Sequence, residues 1–514
     1  MTRVNPEDNL KPSKHDNPAV LSKFQSVYTL VLLVIINLLN YMDRYTVSAV
    51  LTDIKQYFKP EVDDKLLGLL QTVFISTFMI FAPLFGYLGD RYQRKYILTA
   101  GIFIWIATVI GSTFVTPSQF ALFMVCRAFV GIGEASYATV ASTIISDAFI
   151  GDARSRALML FYFAIPVGGG LAYGIGGSVA GKTGQWQWGL RLSPIVGAVA
   201  LAAYQFTVEP KRGAADGGDK TLSDANRSLS AWFADIKELC RCPSYVLSTL
   251  GFTAVTFSVG VAAWWSPAYI EYSQSSYVGQ VYNQTYCSIV FGVITAVAGF
   301  VGTVSGSLCS IAVRRWRGNI NAADPIICGA GLLMSVPFMF AAVVMIEYSL
   351  NAFWVLVCFA ITLLSVNWAV TNDILLYVTV PKRRATAAAM QILVSHLFGD
   401  ASGPFIVGAI SDAQYYHSSD RTIRSHFIAM QNATYVIIFV MILGGFFYLI
   451  CSLYVVADRK RQVVAGVQAL VIENGPQPGS NVAYIPLNPP PYRGKEPVSE
   501  GEKYEPGRRD VFSL

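Results

Sequence analysis

The chain has 514 residues, of which 54% are hydrophobic and only 14% charged, with a net charge of +6. Soluble domains carry about 25% charge, so a soluble enzyme, a coiled coil, a disordered chain and a nucleic-acid binder are all excluded. A bilayer crossing needs about 20 apolar residues, and this composition describes a polytopic membrane protein.

Residues 1–27 are polar and lack the basic start and short apolar core of a signal peptide. Apolar runs follow at about 28–50, 66–88, 96–114, 119–142, 156–180 and 189–208, then a polar stretch, then six more at about 245–270, 286–312, 325–346, 352–379, 386–410 and 434–457. The organisation read from this is a tail (1–27), a six-helix bundle (28–208), a basic linker (209–244), a second six-helix bundle (245–457) and a disordered tail (458–514).

Lys and Arg placement sets the topology. With the N-terminus inside, 29 of the 38 fall in inner segments and six in outer loops, namely Lys55, Lys59, Lys65, Lys182, Arg421 and Arg424. Both termini are therefore expected in the cytosol. The sequons at Asn283 and Asn432 then fall outside, as glycosylation acceptors require, whereas Asn226 falls inside and is expected to be silent. None of the eight cysteines has the spacing of a metal site or a disulfide framework. Cys240 and Cys242 read as small residues beside a membrane boundary, with palmitoylation as the alternative.

Charges inside the apolar runs are the chemically informative residues. Asp43 and Arg44 lie in the first run, Arg127 and Glu134 in the fourth. Positions 127 and 134 are two helical turns apart, hence on one face and about 10 Å apart. Each such charge costs about 2.5–3.5 kcal/mol at the bilayer centre. Two acids and two bases sum to zero, so pairing across an aqueous cavity offsets that cost; a fixed structural ion pair is the other reading. His396 is read as the one histidine within a span, with Asp400 four residues on along the same face. Histidine changes charge between cytosolic and lysosomal pH, which makes His396 and Asp400, with Glu134, the candidate proton-coupling set. Trp264, Trp265, Tyr41, Tyr45, Phe74, Phe78 and Trp368 are candidates for the apolar part of a cavity, and Asn367 and Asn372 for its polar lining.

Gly86-Tyr-Leu-Gly-Asp90-Arg91-Tyr-Gln-Arg94-Lys95 lies between the second and third runs, and Arg127-Ala-Phe-Val-Gly131-Ile-Gly133 follows in the fourth. This combination, with Pro166-Val-Gly-Gly-Gly170 in the fifth run, resembles the major facilitator superfamily over roughly residues 28–457. The second half carries a degraded copy at Gly302, Gly306 and Arg314-Arg315, in which Ser310 stands nearest the place of the acid. At finer grain, Asn40-Tyr-Met-Asp43-Arg44, Gly131-Ile-Gly133-Glu134-Ala135 and His396-Leu-Phe-Gly-Asp400-Ala-Ser-Gly403-Pro404 resemble the spinster family of lipid transporters.

The resemblance implies an all-α membrane protein of the major facilitator fold, with twelve transmembrane helices in two pseudo-symmetric six-helix bundles. It implies alternating-access export of a lysophospholipid or sphingosine-phosphate type lipid, proton-linked, from lysosomes or late endosomes or across the plasma membrane. Asp43, Arg44, Arg127 and Glu134 would bind the head group, and Gly86, Asp90, Arg91 and Arg94 would form a gate. A water-soluble organic anion or sugar as cargo, or a non-transporting lipid receptor or scramblase, remain alternatives. No P-loop, HExxH, paired catalytic aspartates or Ser–His set occurs in the spans, so ATP-driven transport and an intramembrane enzyme are disfavoured. No cofactor, metal or nucleic acid is implied, and the expected unit is a monomer. In the tail, Tyr484-Ile-Pro-Leu487 resembles a sorting-adaptor signal and Pro489-Pro-Pro-Tyr492 a WW-domain ligand.

Overall fold

The computed structural model describes residues 22–60, 62–150, 152–210, 229–276, 283–316, 322–380, 383–418 and 420–474. The helices of the first half are α1 (Lys23–Ala49), α2 (Leu51–Tyr57), α3 (Asp64–Arg91), α4 (Arg94–Ser112), α5 (Phe120–Ala148), α6 (Asp152–Leu171), α7 (Ser178–Thr183) and α8 (Trp186–Tyr204). A π-helical turn, Ala172–Gly177, joins α6 to α7. After α9 (Leu229–Leu239), the second half comprises α10 (Pro243–Ser275), α11 (Gln284–Trp316), α12 (Ala323–Met345), α13 (Leu350–Ser365), α14 (Asn367–Val378), α15 (Arg384–Phe398), α16 (Ser402–His417) and α17 (Ile423–Asn474).

Among the described residues, eleven helical stretches are long and apolar enough to cross a bilayer. The twelfth crossing is α8, 19 residues long and so about 28 Å, with Gln187 and Arg191 diluting its apolar run. The chain path requires this crossing. Gly184, in the left-handed conformation at φ 64°, turns the chain at one face, and Glu209 meets Arg94 at the other. Below, the face where α1 begins is the near face and the opposite one the far face.

Local chemistry explains several boundaries that differ from the sequence reading. The first helix starts at Lys23 rather than 28 because Ser22 and Gln25 form a reciprocal capping box. The polar linker contains α9, tied to the second half by Arg383 Nε on Asp235 at 2.7 Å. The last crossing helix begins at Ile423 rather than 434 and runs to Asn474, so the start of the predicted disordered tail is helical. Phe427, Met430 and Ala433, each 0% exposed, continue into Ile437 at 1%, an apolar stripe at helical spacing. His426 consequently lies inside a helix and His417 ends another. His396 is thus not the one helical histidine among the spans.

The interface between halves has the symmetry expected of a duplicated bundle. Span two (α3) meets span eleven (α16), and span eight (α11) meets span five (α6 to α7), a relation that shifting each by six exchanges; α1 meets α10 on the axis. Glycines set the approach on one side: a Cβ at Gly170 would stand 2.8 Å from the Gly292 carbonyl oxygen. Gly170→Val is therefore expected to cost about 1–3 kcal/mol by overpacking, checked as a lowered Tm of the purified protein. A Cβ at Gly86 would meet open space, whereas one at Gly89 would stand 3.2 Å from Val140, so it is Gly89 that permits close helix contact in that motif.

Among the described residues, the hydrogen bonds that join the halves run from Arg44–Asp400 outward to the far face. They include Thr72 donating to the Ala401 carbonyl (2.5 Å), Ser48 to the Trp264 carbonyl (2.7 Å) and Tyr173 to the Ala263 carbonyl (2.6 Å). Such bonds tie the two halves together on the far side.

Candidate functional site

The four charges of spans one and four divide into two environments. Asp43 and Arg44 are consecutive on α1, so their side chains leave the helix about 100° apart. Asp43, 1% exposed, points into the first bundle, where Arg127 Nη1 (3.4 Å), Trp105 Nε1 (3.4 Å) and Ser193 Oγ (3.4 Å) all donate to it. Arg44 points toward the second half instead. Its Nη2 donates to Asp400 Oδ2 at 3.2 Å, and its Nη1 lies 3.9 Å from Glu134 Oε1. The sequence grouped Asp43, Arg44, Arg127 and Glu134 at one polar cavity end. The structure places Asp43–Arg127 in the bundle core and Arg44–Glu134 at the interface.

Phe74 connects the two pairs. Its ring lies 5.1 Å from the Arg44 guanidinium and 5.2 Å from that of Arg127, within cation–π range of both. Tyr41 and Tyr45 flank Arg44 at 5.9 and 6.0 Å. Among the described residues, Arg44 Nε, Arg127 Nε and Arg127 Nη2 are buried donors without a hydrogen-bond partner. Buried guanidinium donors are normally paired, so these three depart from the usual pattern.

Span eleven is interrupted where Asp400 stands, between the end of α15 at Phe398 and the start of α16 at Ser402. Ala401 N donates back to the His396 carbonyl at 3.0 Å, and a Cβ at Gly260 on α10 would collide with Asp400, so glycine there makes room for the break. His396 Nδ1 lies 2.9 Å from Asp400 Oδ1. The chain Glu134–Arg44–Asp400–His396 thus runs from one half to the other through a discontinuous helix, a recurrent feature of transporter binding sites.

Of the aromatic candidates, Trp264 and Trp265 are each 2% exposed; the Trp264 carbonyl accepts from Ser48 of the other half, whereas Trp265 Nε1 donates to the Pro404 carbonyl within its own half at 3.0 Å. Phe78 is partly buried, and Trp368 stacks edge-on against Phe252 at 5.3 Å. Asn367 is buried and Asn372 exposed.

In the near-face motif, Arg94 binds Asp147 of its own bundle (2.5 Å), and Glu209 (3.1 Å) and the Pro210 carbonyl (2.9 Å) at the start of the linker, with none of these in the second half. Arg91 covers the Tyr87 ring at 4.2 Å, and the side chain of Asp90 lies outside the described residues. The acid missing from the second copy comes from the next helix: Asp324 accepts from Ser310 Oγ (2.5 Å) and pairs with Arg314 Nε (3.3 Å), which also reaches Asp373 (3.2 Å). Its signal was the Asp324-Pro325 start of α12. Asn283 is exposed and caps α11 by accepting from Tyr286 N at 3.0 Å, whereas Asn432 is exposed within α17 rather than in a loop. Cys240 is exposed; burial pushes the Cys242 thiol up to about 12, leaving it protonated against Asp458. The tail motifs at 484–492 lie outside the described residues.

The Major Facilitator Superfamily model matches residues 33–404. Protein spinster homolog 1 of Mus musculus is 44% identical over 470 residues, covering 89% of this chain and 86% of the relative. The sphingosine-1-phosphate transporter SPNS2 of Mus musculus is 42% identical over 432 residues, covering 83% and 77%. The crystal structure of a bacterial homolog to the human lysosomal transporter Spinster, inward-facing and unoccupied, superposes with a TM-score of 0.72 at 20% identity, covering 85% of this chain and 99% of that one. Matches of this extent make the chain a multi-pass membrane transporter, not an enzyme, that belongs to the spinster family of the Major Facilitator Superfamily.

Proposed function

We propose that the protein exports single-tailed lipids with a phosphate-bearing head group, of the lysophospholipid or sphingosine-phosphate type, by proton-coupled alternating access. One observation carries the reading: Arg44 bridges Glu134 and Asp400 between the halves and keeps a buried Nε without a partner. Arginine's planar fork can donate two parallel hydrogen bonds to a phosphate. It would displace the Asp400 carboxylate from Arg44, leaving Asp400 with His396, where one proton balances the charge. Cargo and proton then meet at one site, and the acyl chain would lie among Tyr41, Tyr45 and Phe78.

The basic bias supports a cytosolic near face with both termini on it, and the two-bundle division with its linker supports rocking about the midplane. Gly86, Asp90, Arg91 and Arg94 are assigned to the near-face gate. Asn283 at the far face is the assigned glycosylation acceptor, and Tyr484–Leu487 and Pro489–Tyr492 are assigned to a sorting adaptor and a WW domain. The tail assignments favour an endolysosomal membrane over the plasma membrane, and the proposed transport unit is a monomer.

Efflux of labelled lysophosphatidylcholine and sphingosine-1-phosphate from acidic vesicles, with and without a pH gradient, tests the reading. Gradient-dependent flux of either lipid supports it; absence of lipid flux under every gradient overturns it. His396→Ala is expected to flatten the pH dependence of flux between about pH 5 and 7.5, and an unchanged profile would retire the proton role.

A further inference from the structure

A second charge cluster, far from the Arg44 site, joins the halves at the far face. Asp64 begins α3 and is 0% exposed. Its carboxylate pairs with Lys55 of α2 within its own half. From the other half it accepts from Ser411 Oγ of α16 (2.9 Å) and meets His426 Nε2 of α17 (2.6 Å). Asp412, on α16, acts in the opposite direction. Its Oδ1 accepts from Asp64 N (3.1 Å) and its Oδ2 from Lys65 N (2.6 Å). A carboxylate of the second half thereby caps the first turn of a helix in the first half, satisfying two of the donors a helix start leaves open. Asp63 takes Leu66 N at 3.0 Å, completing the cap.

Each half thus holds a buried charge of the other. Removing one partner strands the rest in a dry interface, so the clasp is stable assembled, and once parted water must replace every contact. Gly408, whose Cβ would collide with the Asp64 carbonyl oxygen, keeps α16 close enough for the exchange. Tyr272 and Tyr415 rings, 4.3 and 4.7 Å from that of His426, wall it in.

We propose that the reciprocal Asp64–Asp412 clasp, completed by Lys55, Ser411 and His426, is the far-side latch of the transport cycle and sets how often the far side opens. The proposal rests on the alternating-access reading but not on the identity of the cargo. It is tested on the full chain in nanodiscs without lipid cargo, with accessible native cysteines replaced and spin labels at Ser118 of the first half and Tyr348 of the second, both exposed at far-face loops. The parent protein is expected to show mainly short separations across the far face. Asp412→Asn and Ser411→Ala, which keep size and fold, are expected to raise the ratio of long to short separations by roughly tenfold, as loss of a charge-assisted hydrogen bond implies. Glu347→Gln breaks a far-face pair with Arg424 inside the second half and is expected to leave the distribution unchanged. Unchanged separations in a folded Asp412→Asn protein, or an equal shift in Glu347→Gln, overturn the latch. Shifted separations in a protein that carries neither lipid would leave the latch standing and remove the cargo reading.

Discussion

Arg44→Ala is expected to lower lipid flux by at least about 100-fold while the protein still folds and reaches its membrane. Arg44 pairs with acids of both halves, hydrogen-bonding Asp400 and lying 3.9 Å from Glu134, and a hydrogen bond to a charged group is worth about 1.5–3 kcal/mol. Arg44→Lys is expected to fail nearly as badly, because an ammonium keeps the charge but lacks the planar fork that can stay on Glu134 while exchanging Asp400 for an incoming phosphate. The measurement is initial flux of labelled lysolipid in reconstituted vesicles, normalised to folded protein. Near-normal flux in Arg44→Ala would remove the head-group assignment.

Asp43→Ala and Arg127→Ala are expected to behave differently, losing stability by about 3–5 kcal/mol. Both partners are essentially sealed in the first bundle, at 1% and 2% exposure. Each single substitution leaves an unpaired charge there; Asp43→Ala also deprives Trp105 and Ser193 of their acceptor. Thermal unfolding in detergent measures the loss. The double variant Asp43→Leu, Arg127→Met is expected to recover much of it, since apolar replacement of a whole buried pair is often neutral or better. Equal Tm values for Asp43→Ala and the parent would contradict the buried placement.

These two outcomes mark the limit of what the sequence disclosed. Twelve crossings were legible because apolar runs and basic loops report directly on the solvent each segment meets. Candidate charges were legible because Asp43, Arg44, Arg127 and Glu134 stand in apolar surroundings. Which acid faces which base was not, since pairing depends on the azimuth of α1 and on Trp105 and Ser193 approaching from other helices. His396 and Asp400 were read as neighbours on one helix. They are neighbours, 2.9 Å apart, yet across the end of α15, where Gly399 and Gly403-Pro404 were the only hints of a break. The far-face clasp was missed because Lys55, Asp64, Asp412 and His426 are ordinary loop-flanking polar residues in one dimension. They become a cluster only when spans two, eleven and twelve converge.

The adjacency of Asp43 and Arg44 has a mechanical consequence. A helix is a stiff rod, so a roll of α1 that swings Arg44 away from Asp400 must swing Asp43 through the same angle. Asp43 is held by Trp105, Ser193 and Arg127, and that arc would break all three contacts. The bundle core therefore acts as a torsional detent that resists a roll of α1 within it. Parting Arg44 from Asp400 is therefore easier by movement of the whole first bundle than by rotation of α1 alone.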